Sequence, residues 1–254
     1  MGTAPLHAAR SRLHEDVNGS QPTGPIVDTD ATHLEIMDQI SRTSVAPDRL
    51  LNNLRQAIAS GRIAPGTRLD EAVLEVEYGP AGMAPEECLA VLEARGLVVR
   101  EPRRVWRVRA HDAAEIRQLY AVRALLERQA VAGLAEAGAD IERLVADLTA
   151  INATMTKKRA AGDAEAYLKG NERFHATILR HAPNEPLRLT SALLTDMAAP
   201  LRLARLRKNL AASTAVEEHG AIIEMLGAGE VDAAADAMQD HILGNADAAV
   251  AAAA

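Results

Sequence analysis

The sequence predicts a mostly α-helical protein: a small helix-and-hairpin module followed by an all-helical antiparallel bundle. Three observations predict it. Hydrophobic residues make up 48% of the 254 positions but aromatic ones only 2%, so the core is built from Leu, Ala, Val and Ile. Beyond Asp112 the apolar residues recur at helical spacing, without the strict alternation of a half-buried strand. Just before Asp112 stand two short Val-rich segments, Leu97–Val99 and Val105–Val108, which read as strands.

Residues 1–46, rich in Gly, Pro, Ser, Thr and Asp, read as a mobile extension with a short helix around Leu34–Ile40. The second segment, residues 47–110, begins with the stripe Leu50, Leu51, Leu54 and Ile58, ended by Gly61. A Pro65-Gly66 turn leads to a helix near Glu71–Tyr78, and a third helix spans about Pro85–Arg95 before Gly96. With the hairpin Leu97–Val108 these three helices make a winged helix-turn-helix. In the third segment, residues 111–250, Asp112 with Glu115 caps a first helix to about Ala135. Further helices run from Asp140 to about Lys157 and from Asp163 to Arg180, and another follows Asn184 and continues past Pro200, which is expected to kink it. Thr214 with Glu217 reads as a capping box for the fifth, and Gly227–Gly229 separate it from the last. The closing alanine run is helix or frayed tail.

The bulk numbers exclude several classes. One cysteine, Cys88, excludes an internal disulfide and a multi-cysteine metal cluster, and suits a reducing compartment. No apolar run reaches membrane-spanning length and the N-terminus lacks a signal-peptide core, so a soluble cytoplasmic protein with no membrane partner is expected. A net charge of −7 argues against wholesale coating of nucleic acid while leaving room for a local basic patch.

The chemistry-bearing pattern is a set of inward histidines. Asn171 and His175, four apart, share the apolar face of their helix with Leu168, Ile178 and Leu179. His219 shares its face with Val216, Ile222, Ile223 and Leu226, and His241 with Ala234, Ala237 and Met238. A single such histidine is more often a hydrogen-bonded core residue than a ligand. Three from three helices, with a carboxamide beside the first, point to a bundle metal site for zinc, nickel or iron.

Several phrases in order carry a family resemblance. LRQAIASGRIAPGTRLDE, then LAVLEARGLV, then a hairpin ending in VWRV resemble the GntR family of bacterial transcription regulators. LYAVRALLERQAV (119–131), NERFHATIL (171–179), EEHGAIIEML (217–226) and AADAMQDHIL (234–243) resemble the helical ligand-binding domain, FCD, of its FadR-type branch. The resemblance covers about residues 47–245 and implies a ligand-responsive, homodimeric, DNA-binding regulator. It implies a divalent metal, zinc or nickel, held by His175, His219 and His241, with Asn171 where the family more often has aspartate. The carboxamide brings no charge, so affinity for a hard cation is expected to fall. It also places Arg123 and Arg202 on helices lining the same pocket, where a small organic acid would bind.

The DNA-binding half departs from the family. Its recognition helix typically opens Ser-Arg-Thr-Pro-Val-Arg-Glu, whereas this chain has Ala81-Gly82-Met83-Ala84-Pro85-Glu86-Glu87. Neither arginine survives, and Glu86 stands where a basic residue usually faces DNA. No glycine occurs between Gly96 and Gly133, so the wing tip lacks its usual hinge residue. The wing itself is basic, with Arg95, Arg100, Arg103, Arg104, Arg107 and Arg109 opposed only by Glu101. Phosphate contact through Arg100, Arg103 and Arg104 with weak or non-specific base reading is the expectation. The alternative is a metal-dependent enzyme of lyase or hydrolase type that evolved on this scaffold, since three histidines also suit a catalytic metal. No serine–histidine–aspartate arrangement, nucleotide loop or paired-carboxylate motif supports that alternative independently.

Overall fold

The computed structural model describes residues 47–78, 83–136, 138 and 140–253; the N-terminal extension expected over residues 1–46 lies outside them. The winged module opens with α1 (Pro47–Ala59), whose Leu50, Leu51, Leu54 and Ile58 are buried together. Gly61 ends it at φ 68°, a conformation that glycine adopts without steric cost. Next come β1 (Arg68–Leu69), α2 (Glu71–Tyr78), α3 (Pro85–Ala94), β2 (Val98–Glu101) and β3 (Val105–Val108). Burying leucines such as Leu54, Leu89 and Leu92 against Trp106 stabilises the module by about 1.5–3 kcal/mol each.

The sheet is antiparallel in the order β1-β3-β2. Val98 faces Val108, Arg100 faces Trp106, and Leu69 faces Trp106 from the other side. The third strand, β1, goes beyond the sequence expectation of a two-stranded hairpin. Two residues after a Pro-Gly turn carry no strand periodicity, and their pairing partner Arg107 is far away in sequence.

Seven helices follow among the described residues: α4 (Ala113–Ala132), α5 (Ile141–Ala160), α6 (Ala164–His181), α7 (Glu185–Asn209), α8 (Ala215–Gly227), α9 (Val231–Gly244) and α10 (Ala246–Ala253). Four start on the expected side-chain caps. Asp112, Asp140, Asp163 and Asn184 each accept from the backbone N–H three residues on, at 2.8–3.0 Å. Glu115 completes a reciprocal box by accepting from Asp112 N–H at 3.1 Å. The box expected from Thr214 and Glu217 does not form. Thr214 Oγ1 instead donates to Glu218 at 2.6 Å, and Glu217 forms a two-pronged pair with Arg159 at 2.7 and 2.5 Å. Both side chains find charged partners stronger than an exposed cap.

In the bundle α4 packs on α9, α5 on α6 and α8, and α7 on α6 and α10. Gly170 lets α5 and α6 approach closely, since a Cβ there would meet Met155 Cγ at 2.6 Å. Helix α7 is continuous through Pro200 and also meets the winged module. Asp196 accepts from Arg55 of α1 at 2.9 Å, and Arg95 approaches its other oxygen at 3.7 Å. Met197 closes over Gly96, with Sδ 3.0 Å from where a Cβ would lie.

Candidate metal and ligand site

The three histidines expected to converge do so. His175 comes from α6, His219 from α8 and His241 from α9, all buried, with ligand atoms within 4.8 Å of one another. Apolar helix faces put them there. Phe174, Ile178, Ile222, Ile223 and Met238 belong to the same core, so the imidazoles are carried inward with it. His219 stacks on Phe174 at 3.7 Å between ring centroids with an interplanar angle of 3°.

Two carboxylates orient the rings, and the sequence reading named neither. Glu127, buried in α4, contacts His175 Nδ1 and accepts from Arg123 Nη2 at 2.8 Å. Glu218 contacts His241 Nδ1, and the Thr214 hydroxyl fixes its other oxygen. With His241 Nδ1 bonded to Glu218 and His175 Nδ1 lying against Glu127, Nε2 of each ring is left for another partner, the usual arrangement behind a histidine ligand. Signals existed in the sequence: Glu127 lies one turn after Arg123, and Glu218 adjoins His219.

Burial disfavours the charged form of two of the imidazoles, His175 and His219. Burial is the main cause that holds His219 well below the ordinary imidazole value, and His241 and His175 add to it. Burial likewise lowers His175, against the opposing pull of Glu127. Burial pushes the Glu127 carboxyl up, but His175 and Arg123 outweigh it and the net direction is down. The negative charge therefore sits on Glu127, stabilised by the Arg123 guanidinium. The hydrogen bond with His241 lowers Glu218 as well.

The donor set fits a borderline divalent cation. Both ring nitrogens of His219 and of His175 are buried without a hydrogen-bond partner among the described residues, His175 Nδ1 lying against Glu127 outside hydrogen-bond geometry. Buried polar nitrogens ordinarily find partners, and three imidazoles suit zinc or nickel. Asn171 lines the same cavity with His175 and His241.

Arg123 and Arg202 line that cavity too, joined by Tyr120, Tyr167, Arg205 and Asn245. Arg202 is buried, and its Nη2 donates to Glu172 at 2.9 Å. Arg205 donates to the Asn245 carboxamide oxygen at 2.6 Å. Tyr120 Oη and the Nε groups of Arg123, Arg202 and Arg205 have no partner among the described residues. The cavity is about 20 Å³, room for a water-sized occupant but far below the several hundred Å³ of an organic-ligand pocket.

The wing residues are arranged differently from one another. Arg100 lies 5.0 Å from the Trp106 ring centroid and its Nη2 donates to Glu86 of α3 at 3.3 Å. Arg103 and Arg104 are exposed at the turn and form no ion pair among the described residues. They take φ 67° and 60°, so two arginines hold the left-handed turn where the sequence supplies no glycine. At the same N-terminal end of α3, Ala84 offers no side-chain cap, and Glu87 accepts from its N–H at 3.4 Å.

Comparison with known proteins agrees with these elements. Residues 118–244 match the FCD domain model, a span running from α4 to the end of α9. A probable D-xylose utilization operon transcriptional repressor of Paenarthrobacter nicotinovorans is 25% identical over 210 residues, covering 80% of this chain and 88% of that one. The gluconate operon transcriptional repressor of Bacillus subtilis is 33% identical over 132 residues, 52% of this chain and 53% of that one. A solved structure of a candidate GntR transcriptional regulator from Rhodococcus sp. RHA1 superposes with a TM-score of 0.68 at 21% identity, covering 83% and 98% of the two chains. With the FCD match spanning half its length behind a winged helix, the chain belongs to the FCD-domain, FadR-type branch of the GntR family of transcriptional regulators.

Proposed function

We propose that this regulator binds a divalent metal, zinc or nickel, through His175, His219 and His241, and uses it with Arg123 and Arg202 to bind a small organic acid. The single observation that carries the reading is the convergence of three buried imidazoles, two of which, His175 and His241, line one cavity with these arginines. When bound, the ion supplies a Lewis-acidic centre for a carboxylate or hydroxyl oxygen. Glu127 and Glu218 orient the rings, Arg123 and Arg202 supply forked donors for a carboxylate, and Asn171 is the weak fourth position. The relatives' names span a neutral sugar and a sugar acid, and the guanidinium lining favours the acid.

The chain acts in the cytoplasm as a homodimer on DNA. Exposed apolar pairs at helical spacing, Val122 with Leu125 on α4 and Leu189 with Leu193 on α7, support a self-association face. Arg103 and Arg104, with Arg100 behind them, touch phosphates, while Glu86 limits base reading by α3. Elemental analysis of protein purified without chelator or affinity tag tests the metal, and near-stoichiometric zinc or nickel is expected. Metal-free protein whose histidines meet only water would overturn it. Titration against upstream DNA fragments at several salt concentrations tests the regulator, and absence of binding at low salt would overturn that.

One observation favours a second reading, a metal-dependent enzyme of lyase or hydrolase type. Glu86 both repels phosphate and occupies Arg100, so the DNA face is weakened on two counts. Turnover of an organic acid by metal-loaded protein that fails to bind DNA would establish it.

A further inference from the structure

The metal-side cavity is nearly filled, and the wall that closes it is an ion pair. Arg202 faces the cavity and is buried, whereas its partner Glu172 has a side chain 35% exposed. Glu172 does not line that cavity. It lines two larger chambers, of about 390 and 430 Å³, between α1 of the winged module and helices α6 and α7. His175 borders the first of them, so the cavity and the cleft share a wall made by His175 and the Glu172–Arg202 pair. Arg55 and Asp196, the ion pair that ties the winged module to α7, line both chambers with Glu172.

We infer that Glu172 is an internal stand-in for the ligand's carboxylate: it holds Arg202 until an acid replaces it, and then turns toward Arg55. This rests on the reading that the cavity takes an organic acid. A carboxylate entering from the cleft meets Arg202 already satisfied by a carboxylate, so binding is an exchange of one anion for another. The displaced Glu172 has no route back into the filled cavity and stays in the cleft, where Arg55 lines both chambers with it and Asp196, beside Arg180 and Arg188 in the first and Lys169 in the second. Two carboxylates competing for Arg55 weaken the Arg55–Asp196 tie, and Arg95 at 3.7 Å is the remaining contact on Asp196. Ligand arrival is thereby read out as looser attachment of α1. Coupling of this kind needs a differential contact in each state, and Glu172 supplies one on each side.

The test uses full-length protein as purified, with acetate, malonate and succinate as probes, read by calorimetry and by amide hydrogen exchange of residues 47–59. Wild type is expected to bind at least one of the acids and to exchange faster in α1 when saturated. Glu172→Gln keeps an acceptor for Arg202 but removes the competing charge. It should bind the same acid about tenfold tighter, as a closed fraction of roughly nine in ten is abolished. It should also lose the α1 response. Arg55→Gln should exchange fast in α1 with or without acid, since the tie that the acid loosens is already gone. If an acid binds wild type and Glu172→Gln binds it no tighter, or still transmits the α1 response, the inference is overturned and the acid reading survives. If neither protein binds any of the three acids, both fall.

Discussion

Glu86 of α3 and Arg100 of the wing are partners, the arginine donating at 3.3 Å across the face that a winged helix turns to DNA. An acidic residue at this place subtracts twice, by repelling phosphate and by occupying a cation that would meet it. Glu86→Ala is expected to raise DNA affinity at low salt and to steepen the slope of log affinity against log salt by about one unit. Fluorescence anisotropy at several salt concentrations measures both. An unchanged slope with Glu86→Ala would mean that Arg100 stays on Trp106 and never reaches phosphate.

Arg103 and Arg104 set stability against charge. Each holds φ near +60°, a region that costs a non-glycine residue about 1 kcal/mol or more. Arg103→Gly is therefore expected to stabilise the winged module by about 0.5–1 kcal/mol while weakening DNA binding. Thermal unfolding and DNA titration of the same preparation check the two halves. Loss of stability would show that the arginine side chain makes a contact worth more than the backbone strain.

How far the sequence carried can be judged from particular residues. The helices were legible because Asp112, Asp140, Asp163 and Asn184 are local signals, read within three residues of the N–H they accept from. The three histidines were legible because helical periodicity decides which face is buried. Glu127 and Glu218 were missed because charged residues are ordinarily assigned to solvent. Only the packing of α4 on α9 and α6 shows that Glu127 lies 4% exposed against an imidazole. β1 and the Asp196–Arg55 tie depend on pairings across the chain, which local pattern does not encode. Arg202 is the mixed case: an ion pair, as a helix surface would allow, yet buried at the cavity wall.

For the metal, the carboxylates behind the rings make a sharper test than the ligands alone. His219→Ala is expected to release the ion outright. Glu218→Gln, which leaves all three imidazoles in place, should weaken metal affinity by about 10–100-fold. Asn171→Asp adds a charged oxygen at the cavity and should tighten binding, most for hard cations. Competition with a chromophoric chelator ranks all four proteins. Equal affinities for wild type and Glu218→Gln would remove that carboxylate from the site's design.

The last prediction concerns acid. His175 and His219 are held below the imidazole value of 6.5 by burial, so the folded state resists protons that the unfolded chain accepts. Above pH 6.5 both states carry neutral rings and the histidines contribute nothing to the pH dependence. As pH falls below that value the unfolded state binds protons first, and stability declines. Glu127 acts in the same direction lower down. Its carboxyl lies below the ordinary value of 4.5 in the fold, so the stability it contributes is complete above that value and is lost as pH falls through the folded one. Metal-free protein should therefore unfold more easily with each step below pH 6.5, and His219→Ala should flatten the upper part of that decline. Metal sharpens the contrast, because the ion binds only neutral imidazoles and adds stability that acid removes. Denaturant unfolding between pH 8 and pH 4, roughly the span set by these groups, measures all three curves. A wild-type curve flat from pH 7 to about pH 5 would show that the histidines are proton-accessible in the fold, against their burial.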